Sequence, residues 1–322
     1  MENLVMVSLE QLVKKDHNYR KFKNNWNLKP VEKILKEIQV ETRYEGYGVV
    51  RLFMCLLLQF MEDLSDRELE KYLQENNAAK WFCNFLLDEK TPDHTVFCKT
   101  RAKIGTNKLS QIFSELKQQL KSKGLISEVF TFVDATHLIS KANLWEERDK
   151  AIHKKYEKLN NENISKFAAD NQAKIGCKGG NKFWFGYKKH VSVDMQSGMI
   201  NKVAITPANI TDAQGFSHVC PSQGAVYMDK GYCSKNVKIA ADRKNVHVAA
   251  IKKNNMKDKN KDLDRFHSKM RAPYERVFSK ENKRVRYKGV TKNQFSAFMH
   301  AISFNLKRLI RLIVPENQLI VG

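Results

Sequence analysis

The chain is short of acid, of paired cysteines and of any long apolar run. Its 322 residues carry 35 Asp plus Glu against 57 Lys plus Arg, a formal charge of +22. An acid deficit of that size points to a polyanionic partner, with nucleic acid first and a membrane surface second. The six cysteines, Cys55, Cys83, Cys98, Cys177, Cys220 and Cys233, contain no C-x-x-C pair. That argues against a zinc site and, in a reducing cytosol, against disulfides. The longest apolar run, VVRLFMCLLLQFM from Val49 to Met61, has thirteen residues and includes Arg51, well under the roughly twenty of a membrane-spanning helix. The start, MENLVMVSLEQLVKKDHNYR, lacks the charged lead and the small-residue cleavage site of a secretory signal. Internal repeats and low-complexity tracts are also missing. These absences predict a cytoplasmic protein with no membrane partner. What the chain does have is core material: 42% hydrophobic residues, with eighteen Phe and four Trp, in a length suited to two domains.

The first of these, residues 1 to 125, reads as helical. From Gly46 to Phe60 apolar positions run almost all round the helix, the pattern of a buried bundle centre. Ser65 followed three residues later by Glu68 is a capping box that opens a second helix. A third is expected to start behind Pro92 and Asp93 and to stop at Gly105, with Lys99, Arg101 and Lys103 on its polar side. Three helices ending in a basic one suit either a DNA-contacting helix-turn-helix or any small bundle.

Residues 126 to 322 change to period two and β-branched residues. FTFVDATHLIS, from Phe130 to Ser140, is a strand. The lysine-rich interval 141–181 is expected to be one or two solvated helices and a glycine-rich turn. FGYKKHVSVDM and GMINKVAITPA form a hairpin about Gln196-Ser197-Gly198. A helix capped at Asn209 or Thr211 follows, then a buried strand GAVYMDKGY, a helix SKNVKIAADRK and a strand VHVAAIKK. From Pro273 to about residue 312 the chain is expected to be helical. This order predicts an α/β (α+β) fold with a ribonuclease-H-like layer of three antiparallel and two parallel strands.

In that topology the first strand is central and the fourth lies beside it, so Asp134 and Asp229 come within reach of one another. Both follow apolar neighbours. A buried, unpaired carboxylate there is costly unless a cation or hydrogen bonds compensate it. A third acid is expected from the C-terminal region, where Glu275 and Glu281, six residues apart, cannot both face one site on a helix. Glu275 has Tyr274 beside it and Val277 and Phe278 just beyond, and is preferred, with Glu281 as the alternative. Three oxygen-donor acids suit Mg²⁺, with Mn²⁺ as a substitute. Two such ions support in-line attack at phosphorus, on the phosphodiester partner that the charge also predicts.

Beside these acids, Asp194 reads as the opener of the hairpin turn, with an auxiliary metal ligand as the alternative; His137 as a half-buried structural histidine, with orienting DNA or a water as the alternative; and Trp184 as a packing residue at a strand junction, with insertion near a flipped base as the alternative. Lys230, Arg276 and the run of Lys280, Lys283, Arg284, Arg286 and Lys288 are candidate contacts to a DNA backbone, as are Lys99, Arg101 and Lys103.

At this point the residues resemble a family. RYEGYGVVRLFMCLLLQFMEDLSDRELEKYLQENNAAKWF, TPDHTVFCKTR, FVDATHL, GYKKHVSVDMQSGMINKVAITPANITDAQ, VYMDKGY, RAPYERVF and RYKGVTKNQFSAF together resemble bacterial insertion-sequence DDE transposases, in the superfamily of insertion sequences four and five. The resemblance implies a helical N-terminal domain for DNA binding or assembly, and a ribonuclease-H-like catalytic domain in which Asp134, Asp229 and Glu275 are catalytic metal ligands. A relative's signature of tyrosine, arginine, glutamate and lysine does not fit the spacing from Tyr274. Glu275 is therefore assigned through its Glu-Arg-x-Phe context, and Glu281 stays open. The implied activity is cleavage of double-stranded DNA at the element's terminal inverted repeats and strand transfer to target DNA, by a nucleoid-associated homodimer or larger assembly. The alternatives are a catalytically inactive DNA-binding descendant and a metal-dependent nuclease that cuts without joining.

Overall fold

A computed structural model describes residues 7–42, 46–142, 153, 159–179, 182–256, 259–278 and 282–313. It divides into two compact units, Met1–Ser122 with Phe298–Gly322, and Lys123–Ala297.

The first unit is helical: α1 (Leu9–Leu12), α2 (Asn18–Asn25), α3 (Lys29–Thr42), α4 (Val49–Met61), α5 (Asp66–Glu75), α6 (Asn77–Phe82) and α7 (His94–Ser122). Helix α4 is its centre, with Leu52 through Met61 all buried. The Ser65–Glu68 capping box forms as expected and starts α5. The predicted stop at Gly105 is a break within α7, where φ is 64°; glycine takes that conformation without a Cβ clash. Phe298 and His300 pack here against Phe113 and Phe60.

The second unit is built on one sheet. Its strands are β1 (Phe130–Ile139), β2 (Lys174–Cys177), β3 (Phe183–Asp194), β4 (Ile200–Pro207), β5 (Ala225–Met228) and β6 (His247–Ala250), in the order β2-β3-β1-β5-β6 with β4 also on β3. β1, β3 and β4 are antiparallel, and β5 and β6 add in parallel. That is the predicted arrangement, with β1 in the middle. Beside them come helices α8 (Ile164–Phe167), α9 (Asp212–Val219), α10 (Lys235–Asp242), α11 (Lys261–Arg271) and α12 (Val290–Ile313), the last of which belongs to the first unit from Phe298 onward, and 3₁₀ turns at Lys230–Tyr232 and Ala272–Phe278. Thr211 caps α9 through a capping box with Gln214.

Two expectations change. The interval 141–181 contains a strand, β2, paired with Phe183–Gly186 of β3, while β4 takes Tyr187–Val193 on the rest of that edge. Four residues, KIGC, are too few for alternation to declare a strand, and tertiary pairing decides it. The stretch after Pro273 is also not one helix. Ala272–Phe278 is a 3₁₀ turn, and Ile139 then bridges Arg284 through Ile139 N–H to Lys283 O (2.7 Å) and Val285 N–H to Ile139 O (2.9 Å) before α12 begins. The free backbone groups at the end of β1 capture the segment, and this pairing outweighs helical propensity.

Candidate active site

β5 pairs with β1 only from Phe130 to Phe132. Beyond that point one edge of β1 is open, and Asp134 stands at the opening. Extending the register, in which Phe132 lies opposite Tyr227, sets Asp134 level with Asp229, the residue after β5 ends. Both aspartates thus sit just past the point where the parallel pairing of β1 and β5 stops, Asp134 within β1 and Asp229 directly after β5, close to the usual ligand position in open α/β sheets. Each carboxylate accepts a hydrogen bond from the next backbone N–H, Ala135 at 2.8 Å and Lys230 at 2.7 Å, which fixes its direction.

The third acid arrives from the other side. α11 ends at Arg271, the 3₁₀ turn follows, and Tyr274 packs its ring 6.2 Å from Phe132 of β1. The Tyr274 hydroxyl donates to the Met195 carbonyl. These contacts bring the turn carrying Glu275 to the strand ends.

What the three carboxylates share is Arg271. Its Nη2 lies 3.9 Å from Asp134 Oδ2 and 3.4 Å from Glu275 Oε1, and its Nη1 lies 3.6 Å from Asp229 Oδ1. The arginine side chain is 8% exposed, against 25% for Asp134, 47% for Asp229 and 56% for Glu275. The cation is at the bottom and the acids open outward. The acids surround the guanidinium rather than one another: among the described residues no three His, Cys, Asp or Glu side chains are close enough to hold a metal. The donor chemistry nevertheless fits a hard divalent ion, since three carboxylates from three elements already share one positive group.

Burial pushes the Asp134 carboxyl up to about 6, helped by the negative charges of Asp212 and Asp229 and opposed by the Ala135 N–H and Arg271. Asp212, in the first turn of α9, is an acid that sequence reading passed over as part of a helix start. Lys188 Nζ holds its Oδ1 at 2.8 Å. Tyr232 is buried, and its hydroxyl has no hydrogen-bond partner among the described residues. Burial, with Asp134 and Asp212 next in weight, raises its pKa well above the tyrosine range. Arg271 was missed too; its one sequence signal is a basic residue four before Glu275.

The other candidates fall in several places. Asp194 is fully buried and accepts from Ser127, Glu128, Gln196 and Ser197, so it ties the hairpin turn to the start of β1. His137 is half-buried, 5.6 Å from the Trp184 ring, whose Nε1 donates to the Tyr187 carbonyl. Lys230 is exposed beside Asp229, and Lys283, Arg284 and Lys288 are exposed on the segment that bridges the end of β1, with Arg286 half-buried there. In the helical unit Lys99 and Lys103 are exposed, whereas Arg101 pairs with Asp66 and Gln59. Lys280 and Glu281 lie outside the described residues, as does the Arg276 side chain.

A family model described as Transposase DDE domain matches residues 128–306, more than half of the chain. The chain belongs to the DDE transposase family. A second model, Transposase domain (DUF772), matches residues 7–103, the helical region of this transposase. No solved structure matches the chain. The family makes the sheet unit a ribonuclease-H-like DDE domain, gives the transposase DNA as its substrate and implies divalent-metal phosphodiester chemistry. No helix among the described residues is long and apolar enough to cross a membrane.

Proposed function

We propose that this transposase cleaves DNA at the terminal inverted repeats of its own element and transfers the freed strands to target DNA. Asp134, Asp229 and Glu275 would hold Mg²⁺, or Mn²⁺ in its place. Two such ions, when bound, activate a water or 3′-hydroxyl and stabilise the leaving oxygen of an in-line displacement. The observation that carries the reading is the convergence of three carboxylates, from β1, the end of β5 and the 3₁₀ turn, on one buried guanidinium.

The chain's own part is orientation. Asp134 and Asp229 lie two residues past the last positions at which β1 and β5 pair, and the N–H bonds of Ala135 and Lys230 direct their carboxylates. Lys230 adjoins Asp229, the basic segment Lys283–Lys288 lies at the end of β1, and both suit the phosphate backbone. Lys99 and Lys103 of the helical region would add to DNA binding, with residues 1–125 serving DNA binding or assembly and residues 126–322 catalysis. Joining two element ends calls for a homodimer or larger assembly, working on nucleoid DNA.

The test is an assay of purified protein with labelled element-end DNA and Mg²⁺. Asp134→Ala, Asp229→Ala and Glu275→Ala are each expected to reduce cleavage by about 10²-fold or more. Full cleavage by Asp229→Ala would remove the metal-site reading. Loss with Glu281→Ala but not with Glu275→Ala would reassign the third ligand. Joined products in the same reaction separate a transposase from a nuclease.

A further inference from the structure

Arg271 is the last residue of α11, and its side chain is the most buried member of the acidic site. A guanidinium stays protonated throughout the working pH range, so its charge is permanent. Its nitrogens reach all three acids, yet only the contact with Glu275, at 3.4 Å, meets hydrogen-bond geometry, while those with Asp134 and Asp229 are ion pairs at 3.9 and 3.6 Å. Its Nε is buried and has no hydrogen-bond partner among the described residues. Beneath it lies the Phe132 ring, 5.7 Å from Cζ. An arginine paired with one carboxylate frequently forms a bidentate fork. Arg271 instead sits between three, satisfied by charge more than by directed bonds.

That is the position a hard cation would take among the same acids. We propose that Arg271 is a built-in competitor of the divalent ion: it supplies the positive charge that keeps the three carboxylates together in the metal-free chain, and it withdraws when a divalent ion binds. The inference rests on the metal-site reading given above. A guanidinium and a divalent ion repel one another, and inside this partly buried site the repulsion is screened far less than in water. The two therefore exclude each other from the carboxylates. The arrangement sets a threshold for metal loading, because an ion gains only the difference between its own attraction and that of the arginine it displaces.

The test uses the full chain without DNA and has two readouts, Mn²⁺ affinity from the electron paramagnetic resonance signal of free Mn²⁺ and thermal melting in chelator. Arg271→Met is expected to bind Mn²⁺ about tenfold more tightly than wild type, the factor for a site occupied by the guanidinium about nine-tenths of the time. It is also expected to melt lower in chelator, where its acids have lost their shared cation. Arg271→Lys keeps a charge but loses the three-way reach, so its affinity falls between the two; it decides the matter if Arg271→Met does not fold. Unchanged or weaker Mn²⁺ binding by the folded variants would overturn the competitor role. Asp134→Asn is the control for the site itself. If it binds Mn²⁺ as wild type does, the metal-site reading fails and this inference with it; if it loses Mn²⁺ while the arginine variants match wild type, only this inference fails.

Discussion

Asp134 and His190 belong to adjacent strands, and their ionisations push stability in opposite directions. The folded chain holds the Asp134 carboxyl at about 6, above its ordinary 3.8, so the folded state favours the protonated acid. That contribution is full below pH 4 and is lost as pH rises through 6. His190 is fully buried, bonded through Nε2 to Thr206 Oγ1 at 2.9 Å, and burial lowers its pKa from 6.5 to about 4. Its neutral form is favoured, so its contribution is full above pH 6.5 and is lost as pH falls through 4. Each amounts to about 3 kcal/mol at most, and the two largely cancel between these limits. Asp134→Asn removes one of the pair. In chelator, its urea-derived stability relative to wild type is expected to rise from pH 4 to pH 6 by up to about 3 kcal/mol. A flat difference would show that Asp134 titrates near its ordinary value.

At the scale of elements, α9 approaches β3 at one glycine. A Cβ at Gly215 would stand 2.2 Å from Cε1 of His190, and its next two neighbours would also be imidazole atoms. The ring cannot move aside easily, being buried and bonded to Thr206. Gly215→Ala is therefore expected to lower stability by about 2–3 kcal/mol in a denaturant titration, through overpacking. Because α9 carries Asp212 in its first turn, the same change displaces an acid next to Asp134. Gly231→Ala is the comparison. Its Cβ would meet only Asp212 Oδ2 at 3.8 Å, an ordinary contact, so its stability should stay close to wild type.

At the scale of the molecule, a charge of +22 makes DNA binding dependent on counterion release. If six to ten phosphates are neutralised, affinity for duplex DNA should fall by about 10³–10⁵ between about 50 and 200 mM salt. Replacing the exposed Lys283 and Lys288 by Gln should reduce the slope of log affinity against log salt by about two if both touch phosphates. Filter binding across a salt series measures both effects. An unchanged slope would place the phosphate contacts elsewhere on the chain.

Much of this was legible in the sequence because the signals are local. Alternation marked β1, β3 and β4, a capping box marked the start of α5, and two aspartates behind apolar residues in VDATHL and YMDKGY marked neighbouring strands, one within β1 and one directly after β5. The order of these elements was enough to predict three antiparallel and two parallel strands with β1 central, because connection rules leave few topologies for such an order. Tertiary structure alone decided the rest. KIGC became a strand because the edge of β3 was free to pair with it. The segment after Pro273 left the helical path because the end of β1 bound its backbone. Asp212 and Arg271 joined the site through space, and no spacing in the sequence announces a guanidinium that meets acids 137 and 42 residues before it and another four residues after it. Periodicity and capping are properties of neighbouring residues, which sequence reports directly, whereas a buried charge is defined by whatever the fold brings around it.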